Sequence, residues 1–191
     1  MNHSKGNDSS MAQTTEIILS GSGGQGLITA GQILADAVIR DGKNTVQTQS
    51  YGPEARGGAS RAEVIISNQE IDYPKVTRPD IVLVMSQEAL QKYAGWLGPG
   101  GMLIVDTTYI QDVPSSSARV FAQPYSRIAR EVLGKEMVAN IVALGALAAL
   151  TGVVSKESLQ SALTARIPPG TEALNLKALE LGWQKARQAA A

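Results

Sequence analysis

The 191-residue sequence predicts an α/β fold with a mostly parallel sheet, helices on both faces of that sheet, a β-hairpin and a helical C-terminal part. Short apolar runs typical of buried parallel strands alternate with amphipathic stretches. A glycine-rich turn joins the first apolar run directly to the first helix. No linker or internal repeat divides the chain, so we expect a single Rossmann-like domain.

The first strand, turn and helix together span Ile17–Asp41. The apolar run Glu16–Ser20 ends in glycines and predicts a buried strand. Leu27–Arg40 carries the apolar spacing of an amphipathic helix, and Gly42 stands where a helix C-cap glycine belongs. Residues 1–15 are polar. We therefore expect a disordered tail over residues 1–15 and the α/β domain over residues 16–191.

The remaining strands are predicted from short runs rich in β-branched residues. A tight turn at Asn68-Gln69 predicts that the third strand pairs with the fourth as the hairpin. The predicted segments are Thr45–Thr48, Ala62–Ser67, Glu70–Tyr73, Ile81–Met85, Met102–Val105 and Val120–Ala122.

Helical patterns cover one central segment and everything from Pro124 onward. Ser86 and Ser155 precede two of these segments and are typical helix N-caps. The predicted helices are Gln87–Trp96, Tyr125–Leu133, Glu136–Thr151, Lys156–Thr164 and Thr171–Ala190.

Composition excludes several classes of function. Lys+Arg and Asp+Glu are both 17, so the chain lacks the basic excess of a nucleic-acid binder. It has no cysteine, and its single histidine is His3, which excludes cysteine-held iron–sulfur clusters and a Ser-His-Asp triad within the fold. The apolar run Met137–Leu150 is too short to cross a membrane and predicts a core helix. We expect a cytoplasmic protein with no membrane partner.

The glycine loop is the first candidate site. Its residues, Gly21, Ser22, Gly23, Gly24, Gln25 and Gly26, match G-x-G-x-x-G between a strand and a helix. Backbone N–H groups at such a helix start favour a phosphate or carboxylate. A dinucleotide site also needs an acid at the end of the second strand, and that strand ends without one. Two other interpretations stay open: glycines that serve packing alone, and a loop that contacts an anionic group or a neighbouring subunit.

The second candidate site is the loop Ser50, Tyr51, Gly52, Pro53, Glu54, Ala55, Arg56, Gly57 and Gly58. In an open parallel sheet, this loop lies at the same carboxyl edge as the glycine loop. Arg56 is suited to a phosphate or carboxylate, or to an ion pair with Glu54 that only shapes the loop. Asn140 interrupts the apolar helix and is either a satisfied buried amide or part of a functional surface.

Together, the two loop motifs closely resemble the gamma subunit of 2-oxoacid:ferredoxin oxidoreductases. Ile71–Pro74, Arg78–Asp80 and Asn140–Gly145 fall where that family has similar segments, and the resemblance covers Glu16 to Gly170. The form Tyr-Gly-Pro-Glu-Ala-Arg-Gly-Gly at residues 51–58 resembles the 2-oxoglutarate type more than the pyruvate type, with a branched-chain 2-oxoacid enzyme as an alternative.

The resemblance implies an accessory subunit, inactive alone, of a complex that converts a 2-oxoacid and coenzyme A to acyl-CoA, CO2 and reduced ferredoxin. It implies that thiamine diphosphate, Mg2+ and iron–sulfur clusters belong to partner subunits. The implied partners are alpha and beta subunits, a ferredoxin-like delta subunit where one exists, and ferredoxin. We expect both loops and Asn140 to contact partner subunits or coenzyme A. The alternatives are a stand-alone Rossmann-type nucleotide-binding protein and a purely structural partner protein.

Overall fold

The computed structural model describes residues 14–50, 59–113 and 118–190. Two helices match their predicted bounds, and most other elements differ by a few residues at their ends. The elements, in chain order, are β1 Thr14–Ser22, α1 Leu27–Arg40, β2 Asn44–Ser50, β3 Ala59–Ser67, β4 Ile81–Val84, α2 Gln87–Tyr93, β5 Met102–Asp106, β6 Arg119–Gln123, α3 Tyr125–Leu133, α4 Ala139–Thr151, α5 Lys156–Arg166 and α6 Glu172–Ala190.

The described strands form one six-stranded sheet in the order β2-β3-β1-β4-β5-β6. The pairs β1–β4, β4–β5 and β5–β6 are parallel, which confirms the mostly parallel sheet. Strand β3 runs antiparallel to both β1 and β2, so β2 and β3 are antiparallel neighbours that follow each other in the chain.

The hairpin predicted over Ala62–Tyr73 is wrong. Ala62–Ser67 belongs to β3, but Glu70–Tyr73 is not a strand. Both edges of β3 are already occupied, one by β1 and the other by β2. A turn after Ser67 therefore has no free edge of β3 on which to return the chain.

Side chains that alternate along the central strands form two apolar cores, one on each face of the sheet. Ile17 and Leu19 pack on one face with α1 and the C-terminal helices, while Ile18 packs on the other face with α2. The two-sided burial explains why these strands are continuously apolar in sequence.

Helix α4 is the centre of the larger core, because every residue from Ala139 to Ala148 is buried. Two glycines allow α6 to lie directly on it. An added Cβ at Gly182 would overlap the Val142 carbonyl oxygen, and one at Gly145 would overlap that of Leu179. Among the described helices, none combines the length and the apolar character that a membrane crossing requires.

Candidate functional site

The glycine loop lies at the point where the chain changes direction across the sheet. From β1 the chain passes through α1 to β2 on one side, whereas β4 leads to β5 on the other side. In open α/β sheets, the connections that leave the carboxyl ends of two such strands run in opposite directions, and the crevice between them commonly holds a ligand. Here the crevice lies between the loop that follows β1 and Met85, which follows β4.

The side-chain amide of Gln25 fills the inner part of this crevice. The β1–β4 ladder continues to a bond from the Met85 N–H to the Ser20 carbonyl oxygen, 3.0 Å long. A regular parallel ladder would next join the Ser22 N–H to the Met85 carbonyl. Instead, Gln25 Oε1 accepts from the Ser22 N–H at 2.7 Å, and Gln25 Nε2 donates to the Met85 carbonyl oxygen at 3.0 Å.

Two further residues of the loop make room for neighbouring amides. An added Cβ at Gly21 would overlap Gln25 Oε1. At Gly26, an added Cβ would lie 2.5 Å from Asn140 Nδ2, which donates to the Gly26 carbonyl oxygen at 3.0 Å. Gly26 is also the N-cap of α1 and has φ +75, a conformation that favours glycine. Asn140 is therefore a buried amide that binds the loop through its NH2 group, while its Oδ1 has no hydrogen-bond partner.

The apex of the loop, Gly23-Gly24, is exposed. Gly24 has φ +91, and no atom lies within 4 Å of the position that its Cβ would take. The loop thus has a braced interior and an apex of bare backbone that a partner molecule can approach closely.

A cavity of about 230 Å³ opens beside the apex, between Gly24, Met85 and the region where α3 and α4 begin. Glu136 on its wall binds Arg130 at 3.1 Å and accepts a hydrogen bond from the Tyr109 hydroxyl. That hydrogen bond, with some burial and the negative charge of Glu136, raises the pKa of Tyr109. Met137 on the same wall is 78% exposed, so the mouth of the cavity is part acidic and part apolar.

Asp106 binds Ser126, which lines the cavity. Its carboxylate is fully buried and accepts from the Ser126 N–H at 3.1 Å, the Ser126 hydroxyl at 2.5 Å and the Thr108 N–H at 2.9 Å. Ser126 lies in the first turn of α3, where a negative charge stabilises the helix. Asp106 therefore caps α3. Burial, with a contribution from the Asp106 charge, raises the pKa of neighbouring Tyr125.

The ends of the second candidate loop lie at the same edge of the sheet as the glycine loop. Ser50 and Ser20 both pair with Arg61 of β3, and Ala59 pairs with Ser22. The reason differs from the predicted one, because an antiparallel strand separates β1 from β2. The other predicted residues of this loop, Tyr51, Gly52, Pro53, Glu54, Arg56, Gly57 and Gly58, lie outside the described residues.

Side chains from α2 and the helical turn that follows it hold the start of β3. The Ala59 N–H donates to Glu88 Oε1 at 3.3 Å. The Arg61 guanidinium carbon lies 5.4 Å from the Tyr93 ring centre and 5.6 Å from that of Trp96, within cation–π distance. Arg61 also binds Glu63 at 3.1 Å. The motif at residues 51–58 is thus followed by a firmly anchored strand.

These features do not suit a dinucleotide. Strand β2 ends at Ser50 without the acid that would hold a ribose, and the Ser22 N–H of the loop already donates to Gln25 Oε1 instead of facing a ligand. Across residues 14–50, 59–113 and 118–190, no group of three His, Asp or Glu side chains is placed to hold a metal ion. What the site offers is exposed backbone and a small cavity.

The sequence shows that Gln25 belongs to the glycine motif, but it does not show that the Gln25 side chain lies in the crevice. The sequence signal for the contact is that Gln25 stands three residues after Ser22, whose N–H it binds.

The chain matches a family model and is similar to known proteins. Residues 16–185 match the family model described as pyruvate ferredoxin/flavodoxin oxidoreductase. The 2-oxoglutarate synthase subunit KorC of Methanocaldococcus jannaschii is 48% identical over 176 residues, which covers 91% of this chain and 94% of that protein.

Two solved structures share the fold. The gamma subunit of a keto/oxoacid ferredoxin oxidoreductase from Geobacter sulfurreducens matches with a TM-score of 0.82 and 48% identity, over 93% of this chain and 99% of that one. The 2-oxoglutarate:ferredoxin oxidoreductase of Magnetococcus marinus, with 2-oxoglutarate, coenzyme A and succinyl-CoA bound, matches with a TM-score of 0.83 and 25% identity, over 92% of this chain and 31% of that one. From the family model, the identities and the shared fold, the chain belongs to the pyruvate ferredoxin/flavodoxin oxidoreductase family.

Proposed function

We propose that this chain is the gamma-type accessory subunit of a cytoplasmic 2-oxoglutarate:ferredoxin oxidoreductase. The complex would convert 2-oxoglutarate and coenzyme A to succinyl-CoA, CO2 and reduced ferredoxin. The observation that carries the proposal is the 48% identity to a 2-oxoglutarate synthase subunit across 94% of that subunit's length. The choice of 2-oxoglutarate also draws on the form of the motif at residues 51–58, which resembles that type.

The chemistry of this chain supports an accessory role. It has no cysteine to hold an iron–sulfur cluster, so such clusters do not fit this chain and would belong to partner subunits. Among the described residues, no group of three His, Asp or Glu side chains is placed to hold a metal ion. We assign thiamine diphosphate, Mg2+ and the clusters to the alpha, beta and delta subunits, and electron acceptance to ferredoxin.

The surface that would meet these partners is the carboxyl edge of the sheet. It brings together the apex Gly23-Gly24, the cavity beside it and the flanking residues Ser50 and Ala59. We propose that this edge lies against the approach to the active site and that Arg56 binds an anionic group of coenzyme A. A guanidinium is well suited to a phosphate because it binds two oxygens at once.

Reconstitution tests the proposed function. The chain should co-purify with its partner subunits, and the complete complex should reduce ferredoxin in the presence of both 2-oxoglutarate and coenzyme A. Pyruvate and 2-oxoisovalerate serve as comparison substrates. Failure to assemble, or equal turnover by a complex that lacks this chain, would refute the accessory role. Faster turnover of either comparison substrate would refute the choice of 2-oxoglutarate.

The contact with coenzyme A has its own test in the assembled complex. An Arg56→Ala variant should raise the KM for coenzyme A while the KM for 2-oxoglutarate stays unchanged. Arg187→Ala, which removes an exposed arginine near the end of α6, is the matched control. An unchanged coenzyme A affinity in the Arg56→Ala complex would refute this contact. Measurable affinity of the isolated chain for NAD or FAD would support the stand-alone nucleotide-binding protein instead.

A further inference from the structure

We propose that Gln25 is a positioning residue that sets where the apex of the glycine loop, Gly23-Gly24, stands on the partner-facing edge of the sheet. This inference rests on the proposed function, because it assumes that the apex meets a partner subunit or coenzyme A. It concerns a residue that acts through the backbone of its own loop rather than by touching a substrate.

The Gln25 amide interrupts the β1–β4 ladder. The Ser22 N–H and the Met85 carbonyl are the next partners in a regular β1–β4 ladder, yet both bind the Gln25 amide instead. An amide carries one acceptor and one donor in the same plane, so it replaces a direct backbone hydrogen bond with two. The insertion holds the two strands apart at this point.

Gly21 leaves room for that amide. Gly21 is buried, and a side chain there would overlap Gln25 Oε1. The Gln25 amide can therefore take this position only because Gly21 has no side chain. An added Cβ at Gly21 would also lie 3.2 Å from Leu27 Cδ2 at the start of α1, so this glycine makes room for both the amide and the helix.

Asn140 holds the other end of the loop. Asn140 Nδ2 binds the Gly26 carbonyl oxygen from the first turn of α4, which is buried in the larger core. The loop is thus fixed at Gln25 by Met85, which follows β4, and at Gly26 by Asn140 of α4. Between these braces and the end of β1 lies the apex Gly23-Gly24, which has no bracing side chain of its own and takes its position from them.

Loss of the Gln25 amide leaves the Ser22 N–H and the Met85 carbonyl without their partners, because no direct hydrogen bond joins these two groups. The loop then loses its brace on the Met85 side, and the apex Gly23-Gly24 is no longer held in one position.

The test uses Gln25→Glu and Gln25→Ala, with Gln188→Glu on the exposed end of α6 as the matched control. Glutamate keeps the length of the side chain and still accepts from Ser22, but its second oxygen faces the Met85 carbonyl oxygen and repels it. In the isolated full-length chain, amide hydrogen exchange at Ser22 should rise about tenfold in Gln25→Ala, the size expected when a partly buried hydrogen bond is lost.

In the reconstituted complex, both Gln25 variants should weaken assembly or raise the KM for coenzyme A by about tenfold, with a smaller change in kcat. The control should match the wild type in both measurements. Unchanged amide hydrogen exchange at Ser22 in Gln25→Ala would show that the Gln25 side chain does not hold the loop, and would overturn the proposal. Faster exchange with wild-type assembly and KM would overturn the positioning role. If the wild-type chain itself fails to assemble, the proposed function fails, while the exchange measurement still reports on the brace.

Discussion

Replacement of Gly182 by alanine should destabilise the fold by separating α6 from α4. An added Cβ would overlap the Val142 carbonyl oxygen and would lie 2.8 Å from the Val142 carbonyl carbon and 3.0 Å from the Ala146 nitrogen. All three atoms belong to the backbone of the buried part of α4, so no side-chain rotation relieves the overlap. Helix α6 must move outward instead, and the packing along the interface loosens.

The magnitude follows from the packing that is lost. A buried leucine makes about 40–60 atom contacts worth roughly 0.1–0.2 kcal/mol each, and a gap of about 0.5–1 Å loses a quarter to a half of that energy. Leu179, which is fully buried in this interface, would therefore lose about 3 kcal/mol. Alanine regains about 1 kcal/mol through its higher helix propensity. We expect a net loss of about 2 kcal/mol, or a Tm lowered by roughly 4–8 °C.

Urea-induced unfolding, followed by the fluorescence of Trp96 and Trp183, measures the loss. Gly95→Ala is the matched control, because no atom lies within 4 Å of its added Cβ and its φ is not positive. That variant should stay within about 0.5 kcal/mol of the wild type. If Gly182→Ala is also within 0.5 kcal/mol, the helices do not approach each other as closely as described, and the reasoning is refuted.

Three further variants test the site and its supports. Gly26→Ala should cost about 1–3 kcal/mol, because it forces a left-handed residue and crowds Asn140; thermal unfolding measures it. Asp106→Asn should cost about 1.5–3 kcal/mol by weakening charged hydrogen bonds that cap α3, as urea unfolding at pH 7 would show. Burial raises the pKa of Asp41, but hydrogen bonds from Ser155 and Ser158 and the charge of Lys43 outweigh it and hold that pKa below its usual range. Because the pKa is lower in the folded state, the stabilisation is present above about pH 4 and is lost as the pH falls through the folded pKa. Asp41→Asn should therefore destabilise most at neutral pH, and urea midpoints of variant and wild type should converge at low pH.

Each of these predictions has an outcome that would contradict it. An alanine at position 26 with wild-type stability would show that neither the positive φ nor the Asn140 contact constrains the loop. Equal stability of Asp106→Asn and wild type would mean that the capping hydrogen bonds contribute nothing net. A constant difference between Asp41→Asn and wild type from pH 3 to 7 would contradict the lowered pKa.

The helices could be read from the sequence because their signals are local. Leu27–Arg40 and Tyr125–Leu133 have the bounds that the apolar spacing predicts. Ser86 and Ser155 cap their helices as predicted, accepting from the N–H groups of Ala89 and Ser158. Periodicity and capping depend on residues within one or two turns, so a short window contains the information.

Strand pairing was different, because it joins segments that are distant in the chain. The sequence located Ala62–Ser67 correctly as strand but paired it with its nearest neighbour, Glu70–Tyr73. In the structure, β3 lies between β1 and β2, where both of its edges are satisfied. Backbone hydrogen bonds between segments that are distant in the chain determine the partners of β3, and no local sequence pattern predicts them.

The glycine loop also has some features that the local sequence predicts and others that depend on tertiary contacts. The sequence by itself determined that a strand, a glycine turn and a helix follow one another at Ile17–Asp41, and it excluded cysteine and histidine chemistry from the fold. It could not separate an anion site from tight packing. Only the tertiary structure brought Met85 and Asn140 to the loop, from 60 and 114 residues away. Gln25 and Gly26 bind these two residues because hydrogen bonds require proximity in space, and that proximity exists only once the sheet and α4 have assembled.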